Sequence, residues 1–141
     1  MGGKRTLTLS SDGVDHSFMT ETEALEALRA REPIFHRPEL GTSRAHFEHM
    51  TDEAFWEVGA SGRVYDRSFV LDELERRHSS PHADQWVVSD FSCRELGGGV
   101  FLATYLLRQG ARLSRRSTLW RHGSDWRAIY HQGTLVDAGA T

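Results

Sequence analysis

A carboxylate set between aromatic and apolar residues is the first candidate for chemistry in this sequence. Glu57 stands between Trp56 and Val58 in a run that is typical of a short strand. Apolar surroundings raise the pKa of a carboxyl group, which lets it act as a general acid or base nearer to neutral pH. The alternative is a structural carboxylate that accepts backbone hydrogen bonds or pairs with an arginine. The sequence leaves both roles open for Glu57, the one candidate catalytic residue.

A second group of candidates alternates along a later strand. Arg116, Thr118 and Trp120 are two residues apart, which places them on one face of a strand. A cation, a hydroxyl and an indole on a concave wall suit an anionic or carbonyl ligand. The intervening residues take the other face, and the sequence alone does not decide which set faces inward.

The predicted ligand site combines these groups with residues of neighbouring strands. Tyr105 is included because its strand lies next to the Arg116 strand in the predicted sheet. Tyr130 shares a strand face with Trp126, so it reaches the pocket if Trp126 marks the concave side. On that interpretation His131 lies on the outer face, where a dimer would meet. The candidate ligand-binding residues are Trp56, Glu57, Tyr105, Arg116, Trp120 and Tyr130.

No motif for a metal or a cofactor stands out. His46 and His49 are three residues apart, but zinc needs three or four converging ligands and no third residue is suitably spaced. Cys93 alternates with Phe91 and is interpreted as a small apolar filler. The run Gly97-Gly98-Gly99 lacks the following helix of a phosphate-binding loop. We therefore expect neither a metal nor a cofactor.

Composition narrows the class of protein. The chain has 141 residues, the size of one domain with a core of its own, and a net charge of −3, which argues against a nucleic-acid partner. Arginines concentrate between Arg108 and Arg127; they either pair with acidic helices or form an anion-binding patch. No apolar run approaches the roughly 20 residues of a membrane helix. With a single cysteine no internal disulfide forms, and cytoplasm is the default location.

Three helical pieces are predicted in the first half. Thr20 begins the first helix, and Glu23 three residues later completes a capping box. Pro33 interrupts this helix and brings Ile34 and Phe35 to the core. Two further helices are predicted, one capped by Ser43 and ending at Met50, the other capped by Ser68 and ending near His78.

A small hairpin before the third helix and a sheet after that helix are also predicted. A short strand at Phe55–Val58 pairs with a second around Val64 and Tyr65. Short connectors make the four long runs that follow an antiparallel meander, and helices followed by strands favour an α+β class. The four runs are Trp86–Leu96, Val100–Arg108, Leu113–Arg121 and Trp126–Val136. The expected organisation is a tail or short edge strand at 1–17, one domain at 18–136 and a flexible C-terminus at 137–141.

The order of elements and three segments resemble a known superfamily. The segments are Phe55-Trp56-Glu57-Val58-Gly59 with Ser61-Gly62-Arg63, then Arg116-Ser117-Thr118-Leu119-Trp120, then Trp126-Arg127-Ala128-Ile129-Tyr130-His131-Gln132-Gly133-Thr134. Over about residues 20–136 the chain resembles the nuclear-transport-factor-2-like superfamily, near its SnoaL-like and ketosteroid-isomerase-like bacterial branches of unknown function. The resemblance implies a cone-shaped fold, with helices on the concave face of a curved, mostly antiparallel sheet, enclosing a pocket. It also implies a homodimer formed through the outer sheet face.

This fold hosts many unrelated activities, so two functions are carried forward. The first is a small-molecule pocket with metal-free acid–base chemistry, and the alternative is a protein-interaction module such as a scaffold or immunity-type partner. The resemblance places the proton-shuttling aspartate of ketosteroid isomerases at Val58, with Glu57 pointing the other way on a regular strand. We therefore expect no isomerase activity of that kind, unless the Glu57 carboxylate lies inside the cavity.

Overall fold

The computed structural model describes residues 7–9, 15–17, 19–78 and 85–137. Near the N-terminus, β1 (Leu7–Leu9) pairs antiparallel with β2 (Asp15–Ser17) in a two-stranded sheet that is separate from the main sheet. The break expected at residues 10–13 lies outside the described residues, as does the C-terminal end beyond Asp137.

One mixed sheet of six strands organises the domain. Five neighbouring pairs give the order β4-β3-β8-β7-β6-β5, and among the described strands only the β3–β8 pair is parallel. The predicted antiparallel meander is confirmed for the last four strands. The strands are β3 (Thr51–Val58), β4 (Val64–Asp66), β5 (Val87–Gly97), β6 (Val100–Gln109), β7 (Arg112–His122) and β8 (Trp126–Leu135).

The first helix, α1 (Glu21–Arg29), has the predicted capping box. The Glu23 amide donates to Thr20 Oγ1 at 3.1 Å, and the Thr20 amide donates to Glu23 Oε1 at 2.9 Å. These bonds satisfy amides that a helix start leaves without a partner. Beyond the helix, Ile34 and Phe35 are buried, as predicted.

The other two helices are α2 (Arg44–Met50) and α3 (Arg67–His78). Ser43 caps α2 as predicted, since its hydroxyl accepts from the His46 amide at 3.1 Å. The predicted cap of α3 at Ser68 is wrong. Asp66, the last residue of β4, accepts from the Phe69 amide at 2.8 Å instead, so the cap and the start of the helix lie two residues earlier than predicted. None of the helices in the described part of the chain is long and apolar enough to cross a bilayer.

The helices cover one face of the sheet, here called the inner face, and the core lies between them. The apolar sides of the helices meet large side chains of the sheet there. Among the fully buried core residues are Leu28, Leu74, Phe55, Phe101 and Trp120.

A β-bulge in β8 changes which of its residues face the helices. Residues 119 and 120 of β7 pair with residues 130 and 128 of β8, so Ile129 is an extra residue in the ladder. Ala128 before the bulge and His131 after it are both buried. On an uninterrupted strand these two residues would lie on opposite faces.

Candidate functional site

A row of polar side chains crosses the inner face on three adjacent strands. Thr118 on β7 pairs with His131 on β8, and His131 pairs with Glu57 on β3. Neighbouring strands lie about 4.8 Å apart, so side chains on one face of such a row are in reach of each other. Thr118 and His131 are buried and Glu57 is half-buried. The folded chain thus places an acid, an imidazole and a hydroxyl side by side.

Arg116 joins this row from two residues earlier on β7. Its Nε donates to Ser114 Oγ at 3.0 Å, and its Nη1 lies 3.3 Å from His131 Nε2. The strand partner of Arg116 is Gly133, and a Cβ built there would lie 2.9 Å from Arg116 Nε. The absence of a side chain at Gly133 therefore makes room for the guanidinium. Burial lowers the pKa of Arg116 from its ordinary value.

The hydrogen bonds assign the tautomer of His131. A guanidinium only donates, so His131 Nε2 accepts from Arg116 and carries no proton. The proton of the neutral ring is then on Nδ1, which lies 2.8 Å from Thr118 Oγ1. Burial, with the nearby charge of Arg116, lowers the pKa of His131 to about 3. His131 is a neutral imidazole that holds Arg116 in place.

Glu32, just after α1, is a fully buried carboxyl at the other end of the same network. Its Oε1 accepts from the Tyr105 hydroxyl at 2.6 Å and the Ile34 amide at 2.7 Å. Its Oε2 accepts from Trp120 Nε1 at 2.9 Å. Burial raises the pKa of Glu32, and hydrogen bonds from these groups and from Thr118 act in the opposite direction. Glu32 thus ties the helical layer to β6 and β7.

Glu57 differs from Glu32 because no described residue fixes its carboxyl group by a hydrogen bond. Among the described residues, no hydrogen bond or ion pair involves the Glu57 carboxyl. Burial raises its pKa, while the charges of Arg116 and Arg77 act to lower it. A half-buried carboxyl with a raised pKa and no competing partner can accept or release a proton at a bound molecule.

Comparison with known proteins bears on the fold. A scan against protein-family models finds no match, and a search of curated proteins finds none either. An uncharacterised protein with a cystatin-like fold from Caulobacter vibrioides has a TM-score of 0.64 at 17% identity, over 85% of this chain and 92% of the other. A nuclear-transport-factor-2-like protein from Cytophaga hutchinsonii has a TM-score of 0.62 at 11% identity, over 80% and 95% of the two chains. The fold is nuclear-transport-factor-2-like.

The predicted resemblance is confirmed at the level of the nuclear-transport-factor-2-like fold, a cone of the α+β class. A further similar structure, described as a candidate ketosteroid isomerase from Parabacteroides distasonis, has a TM-score of 0.56 at 12% identity, over 82% and 85% of the chains. Identities this low show the fold and leave the activity open. The narrower likeness to SnoaL-like proteins stays a prediction.

The inner face of the nuclear-transport-factor-2-like cone brings together four of the six predicted ligand-binding residues. Glu57, Arg116, Tyr105 and Trp120 all belong to the network above. Val58 takes the opposite face, as predicted, but it is Glu57 that points into the cone. The reason given for excluding isomerase-type proton transfer therefore no longer holds, and we withdraw that exclusion.

Trp56 and Tyr130 do not join them. The two rings pack against each other on the outer face, with centroids 4.5 Å apart, and Trp56 is 44% exposed. The predicted inward position of Tyr130 is wrong because the bulge at Ile129 turns His131 inward instead. Sequence reasoning also missed Glu32, which follows a helix and has no motif.

Two clefts lie elsewhere, and neither is lined by Glu57, Arg116 or His131. An open groove of about 640 Å³ runs beside β3 and the start of α3, with Arg44, Trp56 and Arg67 in its wall. A cleft of about 200 Å³ includes His49, which pairs with Asp125 at 2.8 Å. We base the site on the inner row because its groups face one another.

The described part of the chain offers neither a metal-ligand cluster nor an activated thiol. Within it, no three histidine, cysteine or acidic side chains gather in a way that could hold a metal ion. Cys93 packs against the core beside Phe91, as predicted, and burial raises the pKa of its thiol to about 11. A thiol that keeps its proton is a poor nucleophile and a poor ligand.

Proposed function

We propose that the chain binds a small organic molecule inside the cone and transfers protons with Glu57 as the acid–base group, without a metal. The position of the Glu57 carboxyl carries this proposal. It faces inward, has a raised pKa, forms no hydrogen bond with the described residues and lies in the field of the Arg116 cation. Base and cation are the two parts that proton abstraction next to a carbonyl requires.

The other groups have supporting roles in this proposal. Glu57 takes a proton from the carbon beside the carbonyl, and the same carboxyl returns it. The negative charge that develops on the carbonyl oxygen is stabilised by N–H donors of Arg116. His131 stays neutral and holds the guanidinium, and Ser114 holds its other side. Tyr105 is committed to Glu32 and therefore maintains the wall of the site.

The test has two stages. Native mass spectrometry of the purified protein first looks for a retained small molecule. A panel of ketones and oxo acids is then incubated with the protein in D₂O, and hydrogen exchange beside the carbonyl is followed by NMR. We expect E57Q to lose catalysed exchange, while E53Q, at an exposed position of the same strand, keeps it. Equal exchange by E57Q and the parent protein would remove Glu57 from this role.

A second candidate function is protein interaction through the outer sheet face. One apolar side chain from each of four adjacent strands forms a row there: Leu102, Leu119, Tyr130 and Trp56. Apolar rows on an uncovered sheet face favour a partner, and a second copy of this chain is the partner we propose. A homodimer of this kind leaves the inner site free, so the two functions are compatible.

A further inference from the structure

We infer that the molecule bound in the cone is a small monocarboxylate whose carboxylate group pairs with Arg116. This inference rests on the proposed function, since it assigns the chemical class of the ligand in the same site. Three features support it: the unused donors of Arg116, the charges around its guanidinium, and the close packing of its side chain over Gly133.

Arg116 has donors to spare. A guanidinium carries five N–H groups, and two of them are used here, one by Ser114 and one by His131. The Nη2 nitrogen has no hydrogen-bond partner among the described residues. Two or more N–H groups in one plane match the two oxygens of a carboxylate, which makes this pairing stronger than a neutral hydrogen bond.

The charge of Arg116 is also not balanced by a close partner. Within the described residues no carboxylate lies at ion-pair distance from its guanidinium. The group it contacts, His131, is neutral, and the nearby carboxyl of Glu57 holds its proton more readily than usual. Leaving a largely buried cation unpaired is unfavourable, and a bound anion relieves that penalty.

The same charges favour a single negative charge on the ligand. Arg116 is the cation of the inner row, and Arg77 acts on Glu57 from α3. A phosphate dianion would place a second negative charge beside the Glu57 carboxyl, whereas a monocarboxylate brings a single charge and can accept two hydrogen bonds from Arg116. The experiment must therefore compare the binding of inorganic phosphate with the binding of the carboxylates.

Gly133 keeps this arrangement possible. A Cβ at that position would also lie 3.1 Å from both Cδ and Cζ of Arg116, close enough to push the side chain away. G133A thus moves the guanidinium while leaving its charge in the protein. It gives a second variant, independent of R116Q, that tests the position of the cation and not only its presence.

The probes are a graded series of monocarboxylates from acetate through benzoate to octanoate, each with its neutral amide, and inorganic phosphate. Binding is measured by titration calorimetry and by shifts of the His131 NMR signals. We expect at least one carboxylate to bind about tenfold or more tightly than its amide, the effect of one charge-assisted pair. R116Q and G133A should remove this preference, and R115Q, on the exposed opposite face, should keep it.

Three results would overturn the inference: no carboxylate of the series exceeds its amide, R116Q keeps the preference, or phosphate binds as tightly as the best carboxylate. Circular dichroism checks that each variant is folded. If R116Q does not fold, loss or retention of the carboxylate preference in G133A decides the test. E57Q separates the two proposals because it should lose exchange chemistry but keep the carboxylate preference. A protein that exchanges carbonyl protons without preferring carboxylates would retain the proposed function and lose this inference.

Discussion

Glu57 on β3 lies directly opposite His131 on the parallel strand β8, and both side chains face the inside of the cone. One is an acid with a raised pKa and the other is an imidazole that stays neutral. Arg116 contacts His131 and acts electrostatically on Glu57, so it connects the two.

We expect the Glu57 carboxyl to titrate above the ordinary range for glutamate, and R116Q to raise its pKa further because a favourable cation is lost. A folded-state pKa above the unfolded value means that stability is full at low pH and falls as pH rises through the folded pKa. E57Q should therefore gain stability over the parent at pH 8 and lose that advantage at pH 4. Carbon-13 NMR of the Glu57 carboxyl and urea unfolding of E57Q and the parent protein at both pH values check this.

His131 should remain neutral across the range in which histidines normally titrate, because its pKa is about 3. Nitrogen-15 NMR should show the proton on Nδ1 and no titration between pH 8 and pH 5. In the unfolded chain this histidine takes up a proton near pH 6.5, whereas in the folded chain it stays neutral down to about pH 3. The free energy of unfolding therefore falls as the pH drops below 6.5, by up to about 1.4 kcal/mol per pH unit. A His131 signal that titrates near pH 6.5 would contradict the assigned network.

E32Q should destabilise the fold by about 1–3 kcal/mol. Both oxygens of Glu32 accept from N–H groups that cannot accept in return, those of Ile34 and Trp120. The amide NH₂ of glutamine must face one of them and leave it unsatisfied. Urea unfolding measures the loss, and E26Q, at an exposed position on α1, should be close to the parent. Equal stability of the two variants would show that the Glu32 bonds contribute little.

G133A should lower stability by about 1–3 kcal/mol, because the new methyl group overlaps the Arg116 side chain. G123A is the matched control, since a Cβ at Gly123 meets no atom within 4 Å. Thermal unfolding compares the two variants. If G133A behaves like G123A, the Arg116 side chain has free space elsewhere and the glycine is not needed.

The proposed homodimer should depend on the apolar row of the outer face. L119E places a charge in the middle of that row, between Leu102 and Tyr130, and should shift the protein to monomer. Sedimentation at micromolar concentration measures this, with R115Q as a control on the same strand. If the parent protein sediments only as a monomer, the homodimer proposal is wrong, while the proposal for the inner site is unaffected.

Local rules in the sequence were enough for the presence of the helices and the long strands and for the starts of α1 and α2, but not for the start of α3. The capping box at Thr20, the Ser43 cap and the buried pair Ile34 and Phe35 all follow from contacts within a few residues. The meander follows from short connectors, and alternation along β7 correctly grouped Arg116, Thr118 and Trp120 on one face.

The composition of the inner row was decided by the tertiary structure. Glu57 and His131 are 74 positions apart in the sequence, and they meet only because β3 inserts parallel to β8. The bulge at Ile129 reversed the expected sides of Tyr130 and His131, since one extra residue shifts the two-residue period of a strand. Glu32 joins the helical layer to the sheet because two distant donors, Tyr105 and Trp120, converge on it together with the nearby Ile34 amide, and no local pattern encodes the distant two. Sequence periodicity assigns residues to faces, but the register between distant strands determines which side chains share a site.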